Sequence, residues 1–335
     1  MKSPKFYIGI DSSKVTVDLA LLAGYDIIAK EKVDNKEKAL TELFRKFRNS
    51  YGCTGQNSIL CVEQMGIYNS FLCKATTKKR LKLCQESALQ IKKSLGIQRG
   101  KNDALDAERI ARYASTHFND LKLWRAPRPA TQQLKALSTI RNRIVRIYRA
   151  FTLNKKTDCY YLGKKQLSGL SKHTHKSVMA LAADLKSIET EIDKTIHTDE
   201  RLSRLVEVIT SVPCIGKVIA TEMIICTNEF EPSWTSRKFA SYSRVAPFKW
   251  ESGESTKGKT RVSFFGNKNM KALLFMAALG VPRLKNSLLK RYYERKVEEG
   301  KNKLSIINAL QNKLIHRVFS CVRNDRLYRE ILNQA

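Results

Sequence analysis

Phe6-Tyr-Ile-Gly-Ile-Asp-Ser-Ser-Lys14 is a short apolar run rich in β-branched and aromatic residues, and it reads as a buried strand. With side chains alternating, Phe6, Ile8 and Ile10 take one face and Tyr7, Gly9 and Asp11 the other. Gly9 removes a side chain beside Asp11, so a backbone or a ligand can approach there. A carboxylate at the end of a buried strand is costly unless something pairs with it, and a metal ion is the usual partner. The plainer alternative is that Asp11 only opens the turn into the next strand, Val15–Leu22. Further carboxylates converging on Asp11 would decide between the two.

Working outward, Tyr25–Val33 alternates as a third strand, and Lys36–Phe47 has helical spacing through Leu40, Leu43, Phe44 and Phe47. Asn57–Gly66 reads as a fourth strand with Glu63 at its exit, Tyr68–Thr77 as a helix, and Leu81–Cys84 as a short fifth strand. Hairpin-compatible strands followed by alternating helix and strand predict an α/β domain with a mixed sheet. A basic connector, Lys92–Lys101, leads to an amphipathic helix over Asn102–Tyr113. Asp103 and Asp106 are three apart and share a face of it, although acids in a first turn also serve as plain dipole and capping partners.

The chain carries 62 lysines and arginines against 31 acids, a net charge of +31. Such an excess, spread over the whole sequence, implies a polyanionic partner, nucleic acid before an anionic membrane surface. No apolar run reaches the roughly 18 residues a membrane span needs. Ala272–Val281 has the length of a core helix, and no signal-peptide pattern precedes the first strand. Eight scattered cysteines without a Cys-x-x-Cys pair read as reduced core thiols, and His173-Thr-His175 lacks partners for a zinc set. A cytoplasmic, nucleoid-associated protein is the expectation.

Trp124–Pro129 reads as a boundary. From Thr131 to Lys172 there are ten basic residues and one acid, Asp158, with Arg141, Arg143, Arg146 and Arg149 around an apolar stripe. A nearly acid-free helix face in so basic a chain suits phosphates. Charge then inverts over Ser177–Glu200, where Leu181, Leu185, Ile188 and Ile192 have coiled-coil spacing and call for a partner helix in this chain or another. Ser211–Ala220 resembles the turn of a helix-hairpin-helix module, with Cys214 where the first glycine usually stands; a plain turn between helices is the other reading. Trp250–Arg261 is a polar, glycine-punctuated loop between helical segments.

Four carboxylates thus arise from separated elements of the first domain: Asp11, Glu63, Asp103 and Asp106. Gathered in one place they would repel, and two Mg²⁺ ions about 4 Å apart would relieve that and polarise a phosphodiester. An Asp on the first strand, a Glu on the fourth and an acid pair on a late helix resemble the RuvC-like branch of the RNase H fold. Across both halves, Ile8-Gly-Ile-Asp11, Glu63-x-x-Gly66-x-Tyr68, Lys101-x-Asp103-x-x-Asp106-Ala107, the Pro213/Gly216 turn, Ala246-Pro247, Glu251-Ser252-Gly253 and Gly266-Asn267 occur in one order. That order resembles the DEDD transposases and site-specific invertases of bacterial insertion sequences, a family that includes pilin-gene invertases and recombinases guided by a structured bridge RNA.

The resemblance implies an RNase H-like domain with a mixed five-stranded sheet over 1–128, a basic helical and coiled-coil segment over 129–203, and an all-α domain over 204–335. It further implies Asp11, Glu63, Asp103 and Asp106 as catalytic acids holding Mg²⁺ or Mn²⁺, and Ser252 as the nucleophile that joins DNA. Partners would be DNA, a structured guide RNA and further copies of the chain in a dimer or tetramer. Lys101, Arg141, Arg143, Arg146, Arg149, Lys257, Lys259 and Arg261 are the candidate phosphate contacts. Met65, Asn102, Gln85-Glu86-Ser87 and Phe264-Phe265 depart from the usual pattern without removing a presumed catalytic group. Two rival readings remain: a junction resolvase using metal-activated water, in which Ser252 is dispensable, and a non-catalytic nucleic-acid scaffold.

Overall fold

A computed structural model describes residues 4–94, 96, 102–152, 159–161, 163–252, 256–285 and 287–329; at 164, 165, 167, 252, 256, 257 and 259 it describes the backbone alone. The chain forms two compact units, Met1–Ala126 and Pro127–Ala335, divided within the expected boundary stretch.

Unit one is built on a five-stranded sheet ordered β3-β2-β1-β4-β5. Its strands are β1 (Phe6–Ser12), β2 (Thr16–Ala23), β3 (Asp26–Asp34), β4 (Ser58–Glu63) and β5 (Lys82–Glu86). β1 pairs antiparallel with β2 and parallel with β4, so the sheet is mixed and β1 lies at its centre. The mixed five-stranded sheet is the architecture expected of this part of the chain. Burial on both sides explains why β1 reads as continuous apolar sequence rather than as alternation. Phe6, Ile8 and Ile10 pack against α1 (Glu37–Tyr51) and α2 (Ser70–Lys78) through Leu40, Phe44, Phe47 and Leu72. On the other face, Tyr7, Ile59, Cys61 and Cys84 meet α4 (Asp103–Thr116) through Ile110, Ala111 and Ala114; α3 (Ala88–Ser94) precedes it.

Unit two is mostly helical: α5 (Pro129–Thr152), α6 (Lys164–Thr198), α7 (Glu200–Thr210), α8 (Lys217–Thr227), α9 (Ser236–Tyr242), α10 (Lys268–Gly280), α11 (Leu288–Glu298) and α12 (Lys303–Arg323). The heptad-spaced residues of α6 find their partner within the chain, because α6 packs along α5. Ile196, Leu202, Met223, Leu274, Leu310 and Leu314 belong to one shared core. The glycine-punctuated loop is where the helical expectation needs amending. It is an antiparallel ribbon, β6 (Pro247–Ser252) with β7 (Thr256–Val262). Alternate polar residues there hid a two-stranded element too small to bury a face. Among the described residues no single helix is long and apolar enough to cross a membrane. All eight cysteines are free thiols, and burial pushes Cys53 up to about 11 and Cys84 up to about 12.

A charge cluster around the buried Glu229 ties the start of α5 to the rest of unit two. Arg128 donates to both Glu229 oxygens at 2.8 and 2.9 Å and to both Asp199 oxygens at 2.8 and 2.9 Å. Glu229 is buried, also takes Arg201 at 2.8 Å, and accepts a hydrogen bond from Thr131. Removing Arg128 strips Asp199 of its guanidinium and leaves Glu229 one cation where it had two. Arg128→Met is expected to destabilise unit two by about 3 kcal/mol, read as a lower urea midpoint. An unchanged midpoint would show that Arg201 alone satisfies Glu229.

Candidate active site

The site begins with Gly9. A Cβ there would lie 2.1 Å from the Ala107 carbonyl oxygen and 2.2 Å from the Ala111 nitrogen, so α4 is pressed directly onto β1. The close approach suggested for Gly9 is therefore made by a helix backbone. One helical turn advances about 5.4 Å and two strand residues about 6.6 Å, so the two elements stay in step over that distance. Moving from Ala107 back one turn reaches Asp103, as moving from Gly9 on two residues reaches Asp11. α4 runs against β1 and delivers its acidic first turn to the acidic end of the strand.

The sheet supplies the other acids. Asp11 is the cross-strand partner of Asp18 on β2. Ile10 is level with Val62 on β4, which puts Glu63 beside Asp11 one residue further on. Glu63 is in turn level with Glu86 on β5. A row of carboxylates therefore crosses four adjacent strands at one end of the sheet. The electrostatics agree: Asp11 is pushed up from 3.8 to about 6 by burial first, and then by Asp103, Asp106, Glu63 and Asp18 in that order. Glu63, Asp103 and Asp106 are thus among the acids whose charge acts on Asp11.

Several neighbours fix this end of the sheet. Asn69 is buried, accepts a hydrogen bond from Ser12 Oγ at 2.5 Å and donates one to the Glu63 carbonyl at 2.8 Å. It ties the ends of the two strands that carry Asp11 and Glu63. Gly66, at φ +65°, makes the left-handed turn that brings Asn69 back beneath them. Asn35 donates to the Ser13 and Tyr68 carbonyls at 2.7 and 2.9 Å. Asn102 caps α4 by accepting from the Leu105 amide at 2.7 Å, and Arg109 draws Asp106 at 2.7 Å. Lys32 pairs with Asp18 at 3.3 Å. Burial holds Glu86 above the usual carboxylate range against the opposing pull of Lys122 and His117.

Asp18, Glu86, Asn35 and Asn69 escaped sequence reasoning. Strand alternation carried across the sheet would have flagged the two acids once the register was known. The asparagines gave no signal, because their partners other than the Glu63 carbonyl lie 22 to 57 residues away along the chain.

An all-carboxylate donor set suits a hard divalent cation such as Mg²⁺ or Mn²⁺. Burial first, and the neighbouring acids after it, hold the Asp11 carboxyl up, while Arg109 pairs with Asp106 and Lys32 with Asp18. As they stand, among the described residues, no three acidic, histidine or cysteine side chains are close enough to hold an ion.

In unit two, Ser252 is the last residue of β6, and its backbone pairs with Thr256; its side chain lies outside what the structure describes. So do the side chains of Lys257 and Lys259, and the whole of Lys101 and Gly253. Arg261 is exposed on β7. Arg141 is committed to Glu189 of α6 at 2.7 Å and braces the helix pair, whereas Arg143, Arg146 and Arg149 are exposed. Cys214 adopts φ +67°, the conformation that favours the glycine it replaces in the turn before α8. The Gly266-Asn267 pair is structural. A Cβ on Gly266 would meet the Tyr242 carbonyl oxygen at 2.3 Å, and Asn267 caps α10 by accepting from the Met270 amide at 2.9 Å.

A family model described as Transposase matches residues 8–156, and one described as Transposase IS116/IS110/IS902 family matches residues 206–294. The pilin gene-inverting protein of Moraxella bovis is 24% identical over 326 residues, 96% of this chain and 97% of that protein. Its counterpart in Moraxella lacunata matches at the same identity and length. An uncharacterized 44.8 kDa protein of insertion element IS116 from Streptomyces clavuligerus is 24% identical over 166 residues, 50% of this chain and 40% of that one. Among solved structures, Thermus thermophilus RuvC aligns at 13% identity and a TM-score of 0.29, covering 35% of this chain and 98% of that one.

Proposed function

We propose that this chain, which belongs to the IS116/IS110/IS902 family of DEDD transposases, cuts and rejoins DNA with an acidic metal site in unit one and a serine nucleophile in unit two. One observation carries the reading: at the end of a buried strand, burial first and then acids from two strands and one helix push Asp11 up to about 6. Several acids gathered at the end of one buried strand, with Arg109 on Asp106 and Lys32 on Asp18 at their edges, are an arrangement typical of functional sites. Asp11, Glu63, Asp103 and Asp106 would hold the cation, and Asn69 would keep the ends of β1 and β4 in register beneath it. Bound there, Mg²⁺ or Mn²⁺ would offset the carboxylate charge and polarise the scissile phosphodiester.

Ser252 would attack the phosphorus. A bond forms from its Oγ to phosphorus, the bond to the leaving sugar oxygen breaks, the serine proton is lost to solvent water, and the leaving oxygen takes one up. One phosphodiester replaces another, so the step needs no external energy source, and its reversal onto a new strand end rejoins DNA. Arg143, Arg146, Arg149 and Arg261 would contact backbone phosphates, of the DNA or of a structured guide RNA. Two copies of the chain or more would assemble on the paired DNA ends, in the bacterial cytoplasm.

Covalent trapping tests this. The full chain, Mg²⁺ and a DNA substrate carrying the element's ends should yield a denaturation-resistant protein–DNA adduct, with a nucleotide mapped by mass spectrometry to the peptide containing Ser252. Ser252→Ala should abolish the adduct and strand cleavage together. Cleavage that persists in that variant, with free phosphate ends and no adduct, would favour attack by water and overturn the serine reading.

A further inference from the structure

The β6–β7 ribbon and the segment directly after it carry exposed aromatic residues that the proposed chemistry does not use. Phe248 is 49% exposed, Trp250 75%, Phe264 83% and Phe265 60%. Burying rings of that size is among the larger sources of stability available to a fold, and here the fold forgoes it. With Lys249 and Arg261 they line a single groove of 560 Å³. The ladder shifts register between Phe248 and Trp250, so consecutive residues of β6 line the same groove. Trp250 is held in place as well as exposed. Its cross-strand partner is Gly258, where a Cβ would lie 2.9 Å from the Trp250 carbonyl oxygen and 3.2 Å from the indole Cδ1. The indole leans over that glycine.

We infer that this groove binds unstacked bases of single-stranded DNA, with the rings stacking on base faces and Lys249 and Arg261 meeting the phosphates. Aromatic rings gain little from a duplex, whose base faces already cover one another, and much from an open strand. The cationic rim fits a polyanion, and Lys249 meets Glu251 only at 3.8 Å. Position supplies the choice of DNA. Ser252 lies two residues past Trp250 on the same strand, so a groove here would grip the strand that the serine attacks. That choice of partner rests on the recombinase reading; stacking on an open strand does not.

The test is equilibrium binding by fluorescence anisotropy, in chelator so that no strand is cut. Labelled 15-mers of single-stranded thymidylate, of uridylate and of blunt duplex DNA are compared on the full-length chain. Trp250→Ala and Phe264→Ala should each weaken the single DNA strand by roughly tenfold and leave the duplex within about twofold. Trp250→Phe should recover most of the loss. Because the rings are exposed, thermal unfolding should not move, which separates lost binding from misfolding. Equal losses on duplex and single strand, no loss on either, or a loss confined to RNA would each overturn the inference. So would a change in oligomeric state on sizing, which would make the rings a protein interface. A failed adduct experiment would leave these outcomes readable, since binding in chelator does not require the chemistry.

Discussion

Asp11→Asn is expected to cut strand cleavage by about a thousandfold or more while making the isolated protein more stable. The two effects share a cause. Asp11 is pushed from 3.8 to about 6 because burial and four neighbouring acids disfavour its charge. Its folded state therefore holds a proton more tightly than its unfolded state. Below pH 3.8 both states are protonated and Asp11 carries no penalty; between 3.8 and about 6 the folded state loses stability as pH rises; above about 6 the penalty is complete. Asp11 is partly open to solvent, so the penalty is discounted to about 1 to 2 kcal/mol. In chelator, the melting temperature of the Asn variant relative to the native chain should climb between pH 4 and 7 and then level off. Adding Mg²⁺ at pH 7 should raise the native melting temperature and leave the variant nearly unmoved. Parallel pH profiles with no response to Mg²⁺ would remove the metal site from the mechanism.

Gly9→Ala should be the most damaging single-methyl change in unit one. Its Cβ would lie 2.1 Å from one helix backbone atom and 2.2 Å from another, and no rotamer change can relieve a clash with backbone. Either α4 lifts from β1 or the strand shifts in the sheet. The expected cost is about 3 kcal/mol or more, toward the upper end for overpacking, or roughly 10 °C in melting temperature for a unit of this size. Activity should fall further than stability accounts for, because α4 carries Asp103 and Asp106. Measured at a temperature where the variant is still folded, cleavage should remain depressed at saturating Mg²⁺. A variant that melts with the native chain would mean that α4 does not bear on Gly9.

Gly24→Ala provides the contrast. Gly24 also sits in unit one but has open space around its Cβ position. Its positive φ would cost conformational energy without touching the acids. Comparing the two separates loss of the site from general loss of stability.

Much of the site was legible in the sequence because it sits on regular elements. Asp11 and Glu63 end apolar strands, and Asp103 and Asp106 share one helix face, so periodicity alone fixed which side each acid took. Ser252 was singled out only by resemblance, since nearby serines have much the same local chemistry. Composition gave the polyanion partner, and the motif order gave the family. The tertiary structure decided what depends on register and long-range contact. Asp18 and Glu86 joined the acidic row only when β2 and β5 were set beside β1 and β4. Asn69 and Asn35 became positioning residues only when their partners arrived from distant segments. Arg141 left the candidate phosphate face because α6 presented Glu189 to it, and the glycine-punctuated loop became a ribbon because its strands pair with each other rather than with a core. Local sequence determines the period and face of an element, which are short-range steric properties. Which elements become neighbours is decided by burial of the whole chain, and that no single stretch encodes.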